Sequence, residues 1–148
     1  MKKRIVLVLC LFLTLGCSAK KPKKAVRKYL EEYRNFSKNV ENLVTQEAIN
    51  LSLTEEEQRI FFLTMKKQFV HLEYKIKEVF YNGSQASVKV DITVYDFSSY
   101  QDVEKSLEKM SQEKQRTKYT LIFKAYLEEE WQIEKPNEET IRKIMGFG

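Results

Sequence analysis

The sequence predicts an α+β domain in which helices pack on a four-stranded antiparallel sheet, preceded by a short N-terminal leader. Three observations carry this. The apolar period is three and four up to Leu72, two between Glu73 and Tyr95, and mixed thereafter. Turn signals then separate two pairs of alternating segments. Finally, residues 17–148 suffice for one domain with a real core and not for two.

The leader comes first. Lys2, Lys3 and Arg4 precede Ile5–Leu15, an apolar run broken only by Thr14. A membrane-spanning helix needs roughly 20 apolar residues, so this run is too short to cross. It has the length of the apolar region of a secretory signal. Its end, Leu13-Thr14-Leu15-Gly16-Cys17, resembles the lipobox of bacterial lipoproteins, although that family prefers Leu where Thr14 stands. The resemblance implies cleavage after Gly16, which makes residues 1–16 a signal peptide. It also implies a palmitate-type lipid on Cys17, and a site in the cell envelope on the extracytoplasmic side. Ser18, rather than Asp, follows the cysteine and points to the outer membrane in a cell that has one. Residues 17–22 form a basic tether and residues 23–148 a single domain.

Composition narrows the functional classes. Of the two cysteines, Cys10 lies in the leader, so the mature chain has no partner for an intramolecular disulfide. Loss of Lys2, Lys3 and Arg4 lowers the formal charge from +5 to +2, which is no nucleic-acid footprint. The remaining cations crowd the start of the domain: Lys20, Lys21, Lys23, Lys24, Arg27 and Lys28. The helix dipole disfavours cations there. Two readings stand, a solvated tether and docking onto anionic headgroups.

Along the domain, Pro22 suits a first helical position. Val26, Tyr29, Leu30, Tyr33, Phe36, Val40, Leu43 and Val44 predict one amphipathic helix reaching about Val44. Ala48, Ile49, Leu51 and Leu53 connect it to a second helix. That helix opens with the capping box Thr54-Glu55-Glu56-Glu57 and buries Ile60, Phe61, Met65, Phe69 and Leu72. His71, the only histidine, stands at its C-terminal end. A strand follows over Glu73 to Tyr81, with Asn82-Gly83 predicted as a hairpin turn. Ala86, Val88, Val90, Ile92 and Val94 form the dry face of the next strand. Residues near Ser99 are expected to cap a third helix bearing Val103, Leu107 and Met110. Tyr119 to Leu127 form a strand, Glu128-Glu129-Glu130 its solvated turn, and Trp131 and Ile133 the inward side of the last strand. Asn137 and Gly146 bracket a closing helix.

This element order, with Trp131-Gln132-Ile133 near its end, resembles the NTF2-like (cystatin-like) cone domains of bacterial lipoproteins. It implies that the helices cover a curved sheet. Some members of that fold are enzymes that use a carboxylate base with tyrosine donors inside the cone. Glu78, Asp91 and Asp96 are the carboxylates on or beside the predicted sheet. Asp91 falls on the polar face and Asp96 just after its strand. By simple alternation Glu78 shares a face with Tyr74, Ile76 and Phe80, where an unpaired carboxylate is costly. Either a bulge turns Glu78 outward and Val79 inward, or Glu78 faces a pocket with Tyr74, Ile76 and Tyr95. No metal-ligand spacing, phosphate loop or Ser–His–Asp signature appears, and no cofactor is expected. The expected role is non-catalytic binding of a small apolar ligand or an envelope protein partner. The alternatives are an enzyme using Glu78 or Asp91 with tyrosines, and a structural subunit of an envelope complex.

Overall fold

The computed structural model describes residues 21–148, and the leader, Cys17 and most of the tether lie outside the described residues. Within them, five helices and four strands follow in the order α1 (Lys21–Arg34), α2 (Lys38–Asn50), α3 (Glu55–Val70), β1 (Glu73–Asn82), β2 (Gln85–Tyr95), α4 (Val103–Ser111), β3 (Arg116–Leu127), β4 (Trp131–Ile133) and α5 (Glu138–Met145). The strands form one open antiparallel sheet in the order β1-β2-β3-β4.

The alternation in β2 puts Val88, Val90, Ile92 and Val94 on one face, all fully buried. Each contributes roughly 1.5–3 kcal/mol relative to exposure. Leu121, Phe123 and Ala125 of β3 extend the same face. Against it lie Val26, Leu30 and Tyr33 of α1 and Phe61, Met65 and Phe69 of α3, in one continuous core. The other face of the sheet carries Phe80 and Ile122, both exposed, among lysines.

Local signals place most boundaries. Thr54 and Glu57 form the reciprocal capping box, with the Thr54 amide donating to Glu57 Oε1 over 2.8 Å and the Glu57 amide to Thr54 Oγ1 over 3.3 Å. Asn137 caps α5, and Gly146 ends it at φ +95°.

The expected single first helix is two. The chain turns at Phe36, which adopts φ +50°, and Ser37 caps α2 by accepting from the Val40 amide. The apolar period runs unbroken through the turn because Phe36 still reaches the core, packing edge-on against Phe62 at 4.9 Å. Helix α2 then continues to Asn50, through Ala48 and Ile49, which were expected to be linker. Helix α4 is capped by Asp102 instead of a residue near Ser99, because Asp96 draws the intervening chain into a side-chain turn through the Ser98 amide, 3.0 Å away.

The first hairpin differs by one residue. Lys77 is an extra residue between paired Ile76 and Glu78, a bulge that sends Val79 inward and leaves Glu78 exposed. The turn also lies one residue later than expected, at Gly83-Ser84 instead of Asn82-Gly83. Asn82 pairs with Gln85, and only Gly83 takes positive φ, +62°. Glycine at the first central position fits a type II′ turn.

Candidate functional site

The residues expected to share a pocket are not brought together. Tyr74 is half-buried under α1, where its hydroxyl donates to Glu31 Oε1 over 2.8 Å. Ile76 is half-buried on the same face. Glu78 and Tyr95 lie on the opposite, outer face, so the alternative of Glu78 facing a pocket with Tyr74 is corrected by the bulge at Lys77. Asp91 also faces outward, 3.8 Å from Lys77 Nζ and accepting from the Thr120 hydroxyl over 2.9 Å. Asp96 is the acceptor of the turn at Ser98. His71 ends α3, and its Nδ1 donates to the Lys67 carbonyl 2.9 Å away. Among the described residues there is no cluster of His, Cys, Asp and Glu suited to a metal ion. Nor is any helix among them long and apolar enough to cross a membrane.

Tyr95 belongs to a polar cluster at one end of the sheet. Gln68, fully buried, donates through Nε2 to the carbonyls of Tyr95 (2.9 Å) and Met145 (3.0 Å) and accepts from the Tyr95 amide (2.8 Å). Arg116 Nη2 donates to the carbonyls of His71 (2.5 Å) and Thr93 (3.0 Å), and Lys67 Nζ to those of Ser111 (3.1 Å) and Glu113 (3.2 Å). The Tyr95 ring takes Lys67 Nζ at 4.7 Å and Arg116 at 5.2 Å from its centroid. This cluster joins α3, β2, β3 and α5 and has little capacity left for a ligand.

A groove of about 570 Å³ lies at the other end, between α1 and β4. Helical spacing puts Lys24, Lys28 and Glu32 on one ridge of α1, and Ala25 and Tyr29 on the next, beside buried Val26, Leu30 and Tyr33. Strand β4 supplies the other wall. Trp131 opposite Leu127 and Ile133 opposite Ala125 point toward the helices, while Gln132 accepts from the Tyr126 hydroxyl on the outer side. Glu130 stands at the rim.

Tyr29 and Tyr33 share a 2.7 Å hydroxyl–hydroxyl hydrogen bond at the inner side of the groove. Burial holds the Tyr29 phenol above its ordinary range, opposed in part by the bond to Tyr33. Trp131 is 7% exposed and packs edge-on to Tyr81, yet its Nε1 has no acceptor among the described residues. Lys24, Lys28 and Glu130 enter no ion pair among the described residues. Among the described residues the lining contains no histidine, cysteine, serine or threonine, and its titratable side chains are Lys24, Lys28, Tyr29, Glu32 and Glu130. The groove offers two ammonium groups, two carboxylates and an aromatic and aliphatic wall.

Sequence patterning picked out the basic start of α1 and the inward Trp131 separately, but no local signal joins residues so far apart in the chain. Comparison with known protein families, curated proteins and solved structures finds no match.

Proposed function

We propose that the chain is an envelope lipoprotein, anchored through lipid on Cys17, whose domain is a non-catalytic binding module of NTF2-like type. The groove between α1 and β4 is its ligand site. The observation that carries the binding reading is that groove, a concavity with an aromatic wall and two lysines that enter no ion pair among the described residues. The anchor rests on the residues around Cys17, and the site belongs at the end of the domain where the chain enters, because α1 begins four residues after that cysteine.

The enzyme alternative requires a pocket carboxylate. Glu78 and Asp91 face outward and do not supply one, so an enzyme would have to use Glu32 or Glu130, which line the groove beside Tyr29. A protein partner is favoured by a different observation, the uncovered sheet face with Phe80 and Ile122 at 59% and 62% exposure.

Cys17→Ala should abolish labelling by radioactive palmitate and leave an uncleaved or mislocalised precursor on fractionation. Equal labelling of variant and wild type would overturn the anchor.

A further inference from the structure

We infer that the groove between α1 and β4 receives the anionic head of an amphiphile, a phosphate or carboxylate joined to an apolar chain. The head lies on Lys24 and Lys28, and the chain on Ala25, Ile133 and Trp131. This names the ligand class for the groove already proposed as the binding site and rests on that reading, but it does not depend on the lipid at Cys17.

Four observations converge. Lys24 and Lys28 are one helical turn apart on the same ridge of α1, both exposed, and neither has a carboxylate within ion-pair distance among the described residues. No acidic residue stands in the first described turn of α1, so Lys24 meets no competing charge there. The opposite wall is apolar, with Trp131 and Ile133 on adjacent inward positions of β4. A buried indole N–H in that wall lacks an acceptor, and an unsatisfied buried donor is rare in a folded protein. The nitrogen itself is fully covered, so a ligand oxygen reaches it only when the indole shifts as the groove fills. The carboxylates of Glu32 and Glu130 face the same groove. Glu32 accepts from Asn39 Nδ2 over 3.5 Å, and Glu130 at the rim favours a head that also carries a hydroxyl or ammonium over a bare dianion.

Trp131 is the only tryptophan of the chain, so its fluorescence reports the groove directly. The test uses the full chain in phosphatidylcholine nanodiscs, titrated with dihexanoyl phosphatidylglycerol below its micelle concentration, with sodium hexanoate and with inorganic phosphate. A saturable change in Trp131 emission with phosphatidylglycerol is expected, weakened about tenfold in K24Q and again in K28Q, since each charge-assisted contact is of the size that moves affinity by that factor. Saturation by hexanoate as well assigns the site to free carboxylate amphiphiles as well as lipids. Saturation by inorganic phosphate with equal affinity overturns the apolar subsite. A linear change, or one identical in K24Q and K28Q, overturns the proposal, and unchanged melting of both variants shows that they remain folded. Palmitate labelling at Cys17 reads the anchor separately, so either claim can fail without the other.

Discussion

The two ends of β2 show opposite ways of using polar groups. Ten steps along the strand, about 33 Å at ~3.3 Å each, separate Gln85 from Tyr95. At the Tyr95 end the side chains of Lys67, Gln68 and Arg116 donate to backbone carbonyls of β2, α5, the end of α4 and the residues just after α3 and α4, although Arg116 Nε is buried without a partner among the described residues. At the Gln85 end, Ala86 packs with Ala125 and Trp131 in a small cluster of its own. There, among the described residues, Lys24 and Lys28 enter no ion pair and the Trp131 indole N–H has no acceptor. Residue types alone do not separate the two ends, since both carry lysine, glutamate and aromatic rings. What separates them is whether the backbone of a distant segment has come within hydrogen-bonding distance. A closed end of this kind holds the fold together, and an open end can hold something else.

The sharpest way to break this contrast is to remove the amide at the closed end. Gln68→Leu deletes three hydrogen bonds and strands the Tyr95 amide and the Met145 carbonyl in the core. A loss of about 3 kcal/mol in urea denaturation is expected, because each buried group left unsatisfied costs about 1–3 kcal/mol. A loss below about 1 kcal/mol would mean that the cluster is dispensable. Gly146 makes the same point: an added Cβ would lie 2.4 Å from both Gln68 Nε2 and the Tyr95 carbonyl oxygen.

A smaller effect is expected at the open end. Gly83 has φ +62° and nothing within 4 Å of a Cβ built on it, so Gly83→Val acts through the backbone alone. A β-branched residue in that region should destabilise by about 1–2 kcal/mol, measured by thermal melting. An unchanged melting temperature would show that the turn relaxes without strain.

The least effect comes from protonating the closed end. Glu113 is held below the usual carboxylate range, chiefly by the Tyr100 hydroxyl that donates to it and then by the Gln115 amide. A carboxyl depressed in the folded state contributes stability above its unfolded pKa and loses that contribution as pH falls through the folded value. Stability should therefore decline on acidification below the ordinary carboxylate range. Because Glu113 is near solvent, Glu113→Gln should flatten that slope only slightly in denaturation curves taken across the range. A slope unaltered by the substitution would place the acid sensitivity elsewhere.

Much of the architecture was legible because the signals are short-range. The alternation in β2, the box at Thr54 and Glu57, and the caps at Asn137 and Gly146 each involve residues close in sequence, and each lies where expected. The bulge at Lys77 was legible as one of two answers to the problem of Glu78. The break at Phe36 was hidden because its ring stays in the core while its backbone turns. The alternative that put Glu78 in a pocket with Tyr74 and Ile76 came from simple alternation, which a single extra residue inverts at Glu78.

The sequence by itself therefore determined the α+β class, the alternating faces of the sheet and most of the helix caps, since propensity and patterning act within a few residues. Only the tertiary structure decided that Gln68 is spent on partners 27 and 77 positions away, and that α1 and β4 leave a groove between Lys24 and Trp131. The physical reason is that hydrogen-bond satisfaction and the shape of a cavity are properties of segments brought together, and no local stretch of chain encodes its distant neighbour.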